Sequence, residues 1–219
     1  MRCVVIGSGA FGFAIAVNLL KNGNDVTVWC SSKDKLNEIK SGKEIIPGIK
    51  IPTEMKFTDS IKDAVIDADV IYLMTSAKYI GDVTKKINKY AKKDAIYCIG
   101  SKGIEQGSCE FVHEVFKKNS NNSNYAVISG PSFAIDLANG EPIGFSLAAS
   151  NRRTSKLIIK TLSSNSVKLR KSTDMIGVEL CGSIKNVIAV AAGIITGLGY
   201  NESTRSFLIV ESMHDIKWL

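Results

Sequence analysis

Residues 1–12, MRCVVIGSGAFG, govern how the rest of the chain is read. Arg2–Ile6 is a short apolar run of strand character, and residues 10–20 follow it with helical periodicity. Between them Gly7-Ser8-Gly9-Ala10-Phe11-Gly12 matches G-x-G-x-x-G. That pattern has meaning where a strand feeds it and a helix leaves it, and both conditions hold here. Gly7 then permits a tight turn, Gly9 lets the backbone approach a pyrophosphate, and Gly12 lets the helix pack close on the sheet. The helix N-terminus adds amide donors and the positive end of its dipole. A tight strand–helix turn with no ligand is the alternative reading.

Outward from this unit, apolar runs alternate with helical patterns. Strands are expected at Asp25–Trp29, 70–74, 95–99, Tyr125–Ser129, Ile143–Ala149 and 167–169. Helices are expected at 60–66, 79–91, 108–118 and 152–163. Such alternation implies a parallel sheet covered on both faces. The fold class is therefore α/β: a Rossmann-like, doubly wound, mostly parallel sheet over residues 1–172. Beyond it the strand signal stops. Residues 174–198 read as one long apolar helix and 203–217 as a second, so 173–219 is expected to open an all-helical domain. These two helices carry too much apolar surface to bury on each other. They must dock on the first domain, on a second copy, or on further chain.

At roughly 150 residues per domain, the 219 residues make about one and a half domains, with 28 Lys+Arg against 21 Asp+Glu and a formal charge of +7. Hydrophobic residues at 45% and charged residues at 22% exclude a disordered chain. The start lacks a signal-peptide pattern. The most apolar stretch, 187–198, has 12 residues, short of the roughly 20 that span a bilayer, so no membrane span is expected. Cys3, Cys30, Cys98, Cys109 and Cys181 are odd in number and contain no CxxC, which argues against a disulfide framework or a zinc site and for a reducing, cytoplasmic compartment. His113 and His214 are the only histidines, too few for a triad or a metal cluster, and His113 reads as exposed. Lys85, Lys86, Lys89, Lys92 and Lys93 form a basic helix face without interleaved aromatics, a solvated surface rather than a nucleic-acid site.

Three further places could carry chemistry. The second strand ends in Trp29-Cys30-Ser31-Ser32-Lys33-Asp34, where an NAD site usually puts an acid on the ribose. Hydroxyls and a lysine there favour NADP, Asp34 keeps NAD open, and an ordinary polar turn explains them equally well. Lys185 lies in the apolar stretch CGSIKNVIAVAAG. Burying an ammonium is costly and lowers its pKa toward what a general base needs; a lysine that snorkels from the helix edge has equal weight. Lys102 and Ser129–Ala134 both follow strands at the sheet edge where ligands bind, with Ser132 the expected N-cap of a helix.

Four blocks, GSGAFG, SKGIE at 101–105, SGPSFA at 129–134 and VELCGSIKNVIAVAAGIITGLGY at 178–200, together resemble bacterial NAD(P)-dependent glycerol-3-phosphate dehydrogenase in order and spacing. The resemblance implies reversible reduction of dihydroxyacetone phosphate to sn-glycerol 3-phosphate, feeding phospholipid synthesis, by a cytoplasmic homodimer using NADP or NAD. It implies that Lys185 is the proton acceptor, with Lys102 contacting cofactor and substrate and depressing the pKa of Lys185. Gly130 and Ser132 match substrate contacts; Ala10, Phe11, Ser31 and Ala134 match cofactor contacts. The family continues through a helical substrate domain for about another hundred residues, which hold an aspartate partner of the lysine and an Arg-Asn pair. Arg205 stands in Ser203-Thr204-Arg205, but Val210-Glu211-Ser212 replaces the family's Thr-Arg-Gly. A non-catalytic dinucleotide-binding remnant and a dehydrogenase for another small substrate are the competing expectations.

Overall fold

The computed structural model describes residues 1–218. Eight strands form one sheet: β1 (Arg2–Ile6), β2 (Asp25–Trp29), β3 (Lys56–Thr58), β4 (Val70–Leu73), β5 (Ile96–Ile99), β6 (Tyr125–Ser129), β7 (Ile143–Ala149) and β8 (Val167–Ser172). Their order is β3-β2-β1-β4-β5-β6-β7-β8, parallel throughout except where β7 runs antiparallel to β6. The central strands are buried on both faces, which is why β1, β4 and β5 read as continuous apolar runs rather than as alternation.

Helices cover both faces. On one lie α1 (Ala10–Lys21), α6 (Ala134–Asn139) and α7 (Arg152–Leu162), whose Phe13, Ile15, Leu19, Leu137 and Ile158 pack with Val5, Tyr72 and Cys98. On the other, α3 (Ile61–Val65), α4 (Ile80–Ile87), α5 (Val112–Asn119) and the start of α8 (Met175–Gly197) enclose Ile71, Leu73, Tyr97 and Ile99. Polar side chains staple α1 to the end of α7: Asn18 donates to the Leu162 carbonyl at 2.8 Å, and Asn22 to those of Thr161 and Ser163. The hydroxyl of the fully buried Tyr72 meets Thr161 Oγ1 at 2.6 Å. The five cysteines are free thiols.

Several elements differ from the sequence reading. α2 (Lys33–Lys40) and β3 carry little apolar signal: α2 buries only Leu36 and Ile39, and Ser32 caps it by accepting from the Lys35 amide at 3.2 Å. The helix expected at 79–91 is a 3₁₀ turn at Ala77–Tyr79 followed by α4, so Lys89, Lys92 and Lys93 lie beyond the helix, and Lys92 pairs with Asp69 at 3.3 Å. The helix expected from 108 starts at Val112, because Ile104 bridges to Phe111 and the intervening loop turns at Cys109, φ 57°. β8 extends three residues past Leu169, since six residues of β7, Ile143 to Ala148, pair along it as far as Ser172.

After β8, α8 and α9 (Glu202–Trp218) form the expected helical segment. α8 rests on β6 and β7 through its first turns, but Val187, Val190, Ile194, Phe207, Val210 and Met213 are exposed. α8 is the long apolar helix expected over 174–198, and its 23 residues are long and apolar enough by length and composition to cross a membrane, whereas the expectation of no span rested on the 12 residues 187–198.

Candidate active site

β1 and β4 are neighbours, and the connections from their carboxyl ends run in opposite directions, to β2 and to β5, so a crevice opens between them. Gly7 turns the chain at φ +125°, a region that favours glycine, and a Cβ on it would stand 2.7 Å from the Met74 carbonyl oxygen. A Cβ on Gly12 would stand 2.1 Å from the Gly7 carbonyl oxygen. Gly9 is different: it is exposed, and a Cβ there would meet nothing within 4 Å. No side chain caps α1 and no acid lies in its first turn, so its leading amides face open space beside Gly9 and Ala10. This free, acid-free helix start is a cradle that fits a pyrophosphate.

Around the cradle, Ser31 is exposed at the end of β2 with Lys33 and Asp34, while Ser32 is engaged as the α2 cap. Burial pushes the Cys30 thiol up, against a hydrogen bond with Ser8. Beyond β5, half-buried Lys102 places Nζ 5.2 Å from the centre of the Phe11 ring. Lys185 reaches the same point from α8. It is half-buried, with Cys181 and Ala189 exposed one turn to either side, so it stands at a helix edge rather than in a packed interior. Burial, then the hydrogen bond and charge of Lys185, lower the Lys102 pKa to about 8.

α8 comes this close because Gly182 has no side chain; a Cβ there would lie 2.5 Å from Ser129 Oγ. Gly130 is equally tight, since its Cβ would stand 2.3 Å from the Gly144 carbonyl oxygen on β7. Ser132 does not cap α6. Phe133 occupies the N-cap position, 77% exposed, and the buried Ser132 Oγ has no partner, a free polar atom beside the crevice. Ala134, half-buried, opens α6.

Two residues of this region escaped the sequence reading. His113, expected on the surface, is buried, with its ring Nδ1 2.5 Å from the Glu179 carboxylate of α8. The signal was present: Glu179 and Lys185 are the only charged residues between Asp174 and Glu202, and an acid in an apolar helix needs a partner as much as a lysine does. Among the described residues no group of three His, Cys, Asp or Glu is placed to hold a metal.

A glycine turn at the switch point of a doubly wound sheet, with a lysine pair over the crevice, defines a dinucleotide-binding oxidoreductase. Sequence models of the NAD-dependent glycerol-3-phosphate dehydrogenase N-terminus and C-terminus match residues 2–155 and 174–219. Glycerol-3-phosphate dehydrogenase [NAD(P)+] of Fusobacterium nucleatum is 34% identical over all of this chain and 67% of its own length. That of Bacillus subtilis is 32% identical over 98% of this chain and 64% of its own. The crystal structure of the Coxiella burnetii enzyme superposes with a TM-score of 0.92 at 30% identity, covering 99% of this chain and 67% of that one. The chain belongs to the NAD(P)-dependent glycerol-3-phosphate dehydrogenase family, and it spans about two thirds of the length of these relatives.

Proposed function

We propose that this protein acts as a glycerol-3-phosphate dehydrogenase, interconverting dihydroxyacetone phosphate and sn-glycerol 3-phosphate with NADP or NAD. The observation that carries the reading is the meeting of Lys102 and Lys185, 83 residues apart in sequence, beside Phe11 of the glycine turn. Residues 1–172 serve as the dinucleotide-binding domain and 173–219 as the first part of the substrate domain. Gly7, Gly9, Ala10, Phe11 and Gly12 hold the pyrophosphate side of the cofactor, with Ser31 toward the ribose and Ala134 lining the opposite wall. A bound nicotinamide cofactor supplies or accepts the hydride. In the direction of reduction the Lys185 ammonium gives its proton to the carbonyl oxygen of the substrate; in oxidation its free amine takes the hydroxyl proton back. Lys102 holds the substrate near the cofactor by its charge, and Gly130 and the unpartnered Ser132 hydroxyl close the substrate side.

α8 serves in this reading as the core helix of a substrate domain. The buried Glu179 and the contact of Gly182 with Ser129 support that role over a bilayer span. The exposed apolar faces of α8 and α9 support a homodimer or cover by further chain, and free cysteines accord with a cytoplasmic setting. The test is oxidation of NADPH and NADH by the purified chain with saturating dihydroxyacetone phosphate, beside direct cofactor binding. Turnover is the expected result. Cofactor binding without turnover in this chain and in one extended to the relatives' length would overturn the reading in favour of a binding protein.

A further inference from the structure

Lys102 and Lys185 are like charges on separate elements, and something must hold those elements together. Lys102 lies on the loop between β5 and α5. That loop is closed on itself by the bridge from Ile104 to Phe111 and by the Glu105 amide donating to the Glu110 carbonyl at 2.9 Å, and it delivers the chain directly into α5. At the start of α5 the His113 amide is one of the donors a helix leaves free. Phe111, in the N-cap position, has no side-chain acceptor to offer it. The acceptor comes from another element: Glu179 of α8 takes the His113 amide on Oε1 at 2.9 Å and meets His113 Nδ1 with Oε2 at 2.5 Å. The two side chains are 2% and 10% exposed. Six residues further along α8, about 9 Å at 1.5 Å per residue, stands Lys185.

We propose that Glu179 is a positioning residue: with His113 it clasps α8 to the Lys102 loop and so sets the distance between the two lysines. One carboxylate caps α5, takes its charge stabilisation from that helix start, and fixes the rotation of α8 that turns Lys185 toward Lys102. Gly182, lying between Glu179 and Lys185, lets the helix close on Ser129 without a side chain in the way. The groups facing Lys102 are Lys185 from α8 and the Phe11 ring from α1; those facing His113 are Glu179 from α8 and the Phe111 ring, 6.3 Å away.

The inference rests on reading the two lysines as one site, and its test reads proton binding rather than turnover. Lysines of the whole chain are reductively methylated with [13C]formaldehyde and titrated by NMR, the Lys102 signal being assigned by its absence from Lys102→Arg. Wild-type Lys102 is expected to titrate near 8. In Glu179→Ala it should rise by about 1 or more toward the ordinary lysine value, stopping short of it because burial remains. Glu179→Gln, which keeps an acceptor for the amide, and His113→Phe, which keeps the amide–carboxylate bond, should give smaller rises. Variants that melt cooperatively yet titrate Lys102 as wild type overturn the proposal. Should Glu179→Ala fail to fold, the other two decide it by the same criterion. A wild-type chain without turnover in which these variants still move Lys102 overturns the functional reading alone.

Discussion

Gly9 and Gly12 stand three residues apart in one motif and should fail in opposite ways when each is changed to alanine. At Gly12 the new Cβ would lie 2.1 Å from the Gly7 carbonyl oxygen and 3.3 Å from Met74 Cβ. The obstacle is backbone, so β1 and α1 must part by about 1 Å, an overpacking cost of about 1–3 kcal/mol. For a chain of this size that is a fall in melting temperature of roughly 2–12 °C. At Gly9 the backbone sits at φ −74°, ψ 172°, open to any residue, and the Cβ meets nothing within 4 Å. Reduced freedom of the unfolded chain favours alanine there, a poorer N-cap opposes it, and the net change should stay within about 0.5 kcal/mol. The same methyl, however, enters the space left for a pyrophosphate. It should weaken cofactor binding at least about tenfold, about 1.4 kcal/mol. Urea melts without cofactor and fluorescence titration with NADPH separate the two effects. A Gly9→Ala chain that binds cofactor like wild type, or a Gly12→Ala chain of undiminished stability, refutes the assignment of roles within the turn.

Replacing Lys185 with alanine should reduce turnover by about 10²–10⁴-fold while leaving NADPH affinity unchanged; a parallel loss of affinity would place Lys185 in cofactor binding instead. Lys102, lowered to about 8, gives stability a defined pH dependence. Between about 8 and the ordinary lysine value the unfolded chain binds the extra proton, so stability should rise with pH across that window, and below it the cost of charging Lys102 is fully present. Lys102→Met should therefore be more stable than wild type at pH 7 and show a flatter rise in urea unfolding from pH 7 to 10; an identical profile counts against the pairing. Thr161→Val strands the Tyr72 hydroxyl in the core and should cost about 1–3 kcal/mol, read as a lower urea midpoint at unchanged slope. An unchanged midpoint would mean that the hydroxyl finds another partner.

Strand–helix alternation and the glycine turn were legible because each is a local pattern with a period or a fixed spacing. The direction of β7 was not, since a strand antiparallel to β6 and one parallel to it present the same run of apolar residues. α2 escaped notice because KDKLNEIK buries two side chains only, and its clearest marker is a single capping serine. Ser132 illustrates a different limit: a serine one residue before a capping position looks like the cap, and only the backbone shows that Phe133 takes that place. Lys185 was visible as an anomaly of environment, and Lys102 by its place just beyond the carboxyl end of a strand. Their meeting was not, because it depends on the approach of α8 through Gly182 and on a carboxylate whose partner lies 66 residues upstream.

The edge strand β8 gives the charge of the chain a location. Between Glu141 and Asp174 there is no acid, and Arg152, Arg153, Lys156, Lys160, Lys168, Arg170 and Lys171 equal the whole formal excess of +7. Three of these lie on β8 itself, all exposed, beside a row of backbone groups free to pair with another strand. A second copy brought up to that edge meets cations with cations. The β8 edge is thereby guarded against strand addition. Neutralising Lys168, Arg170 and Lys171 together would remove the guard and leave a six-residue edge open to fibrillar stacking.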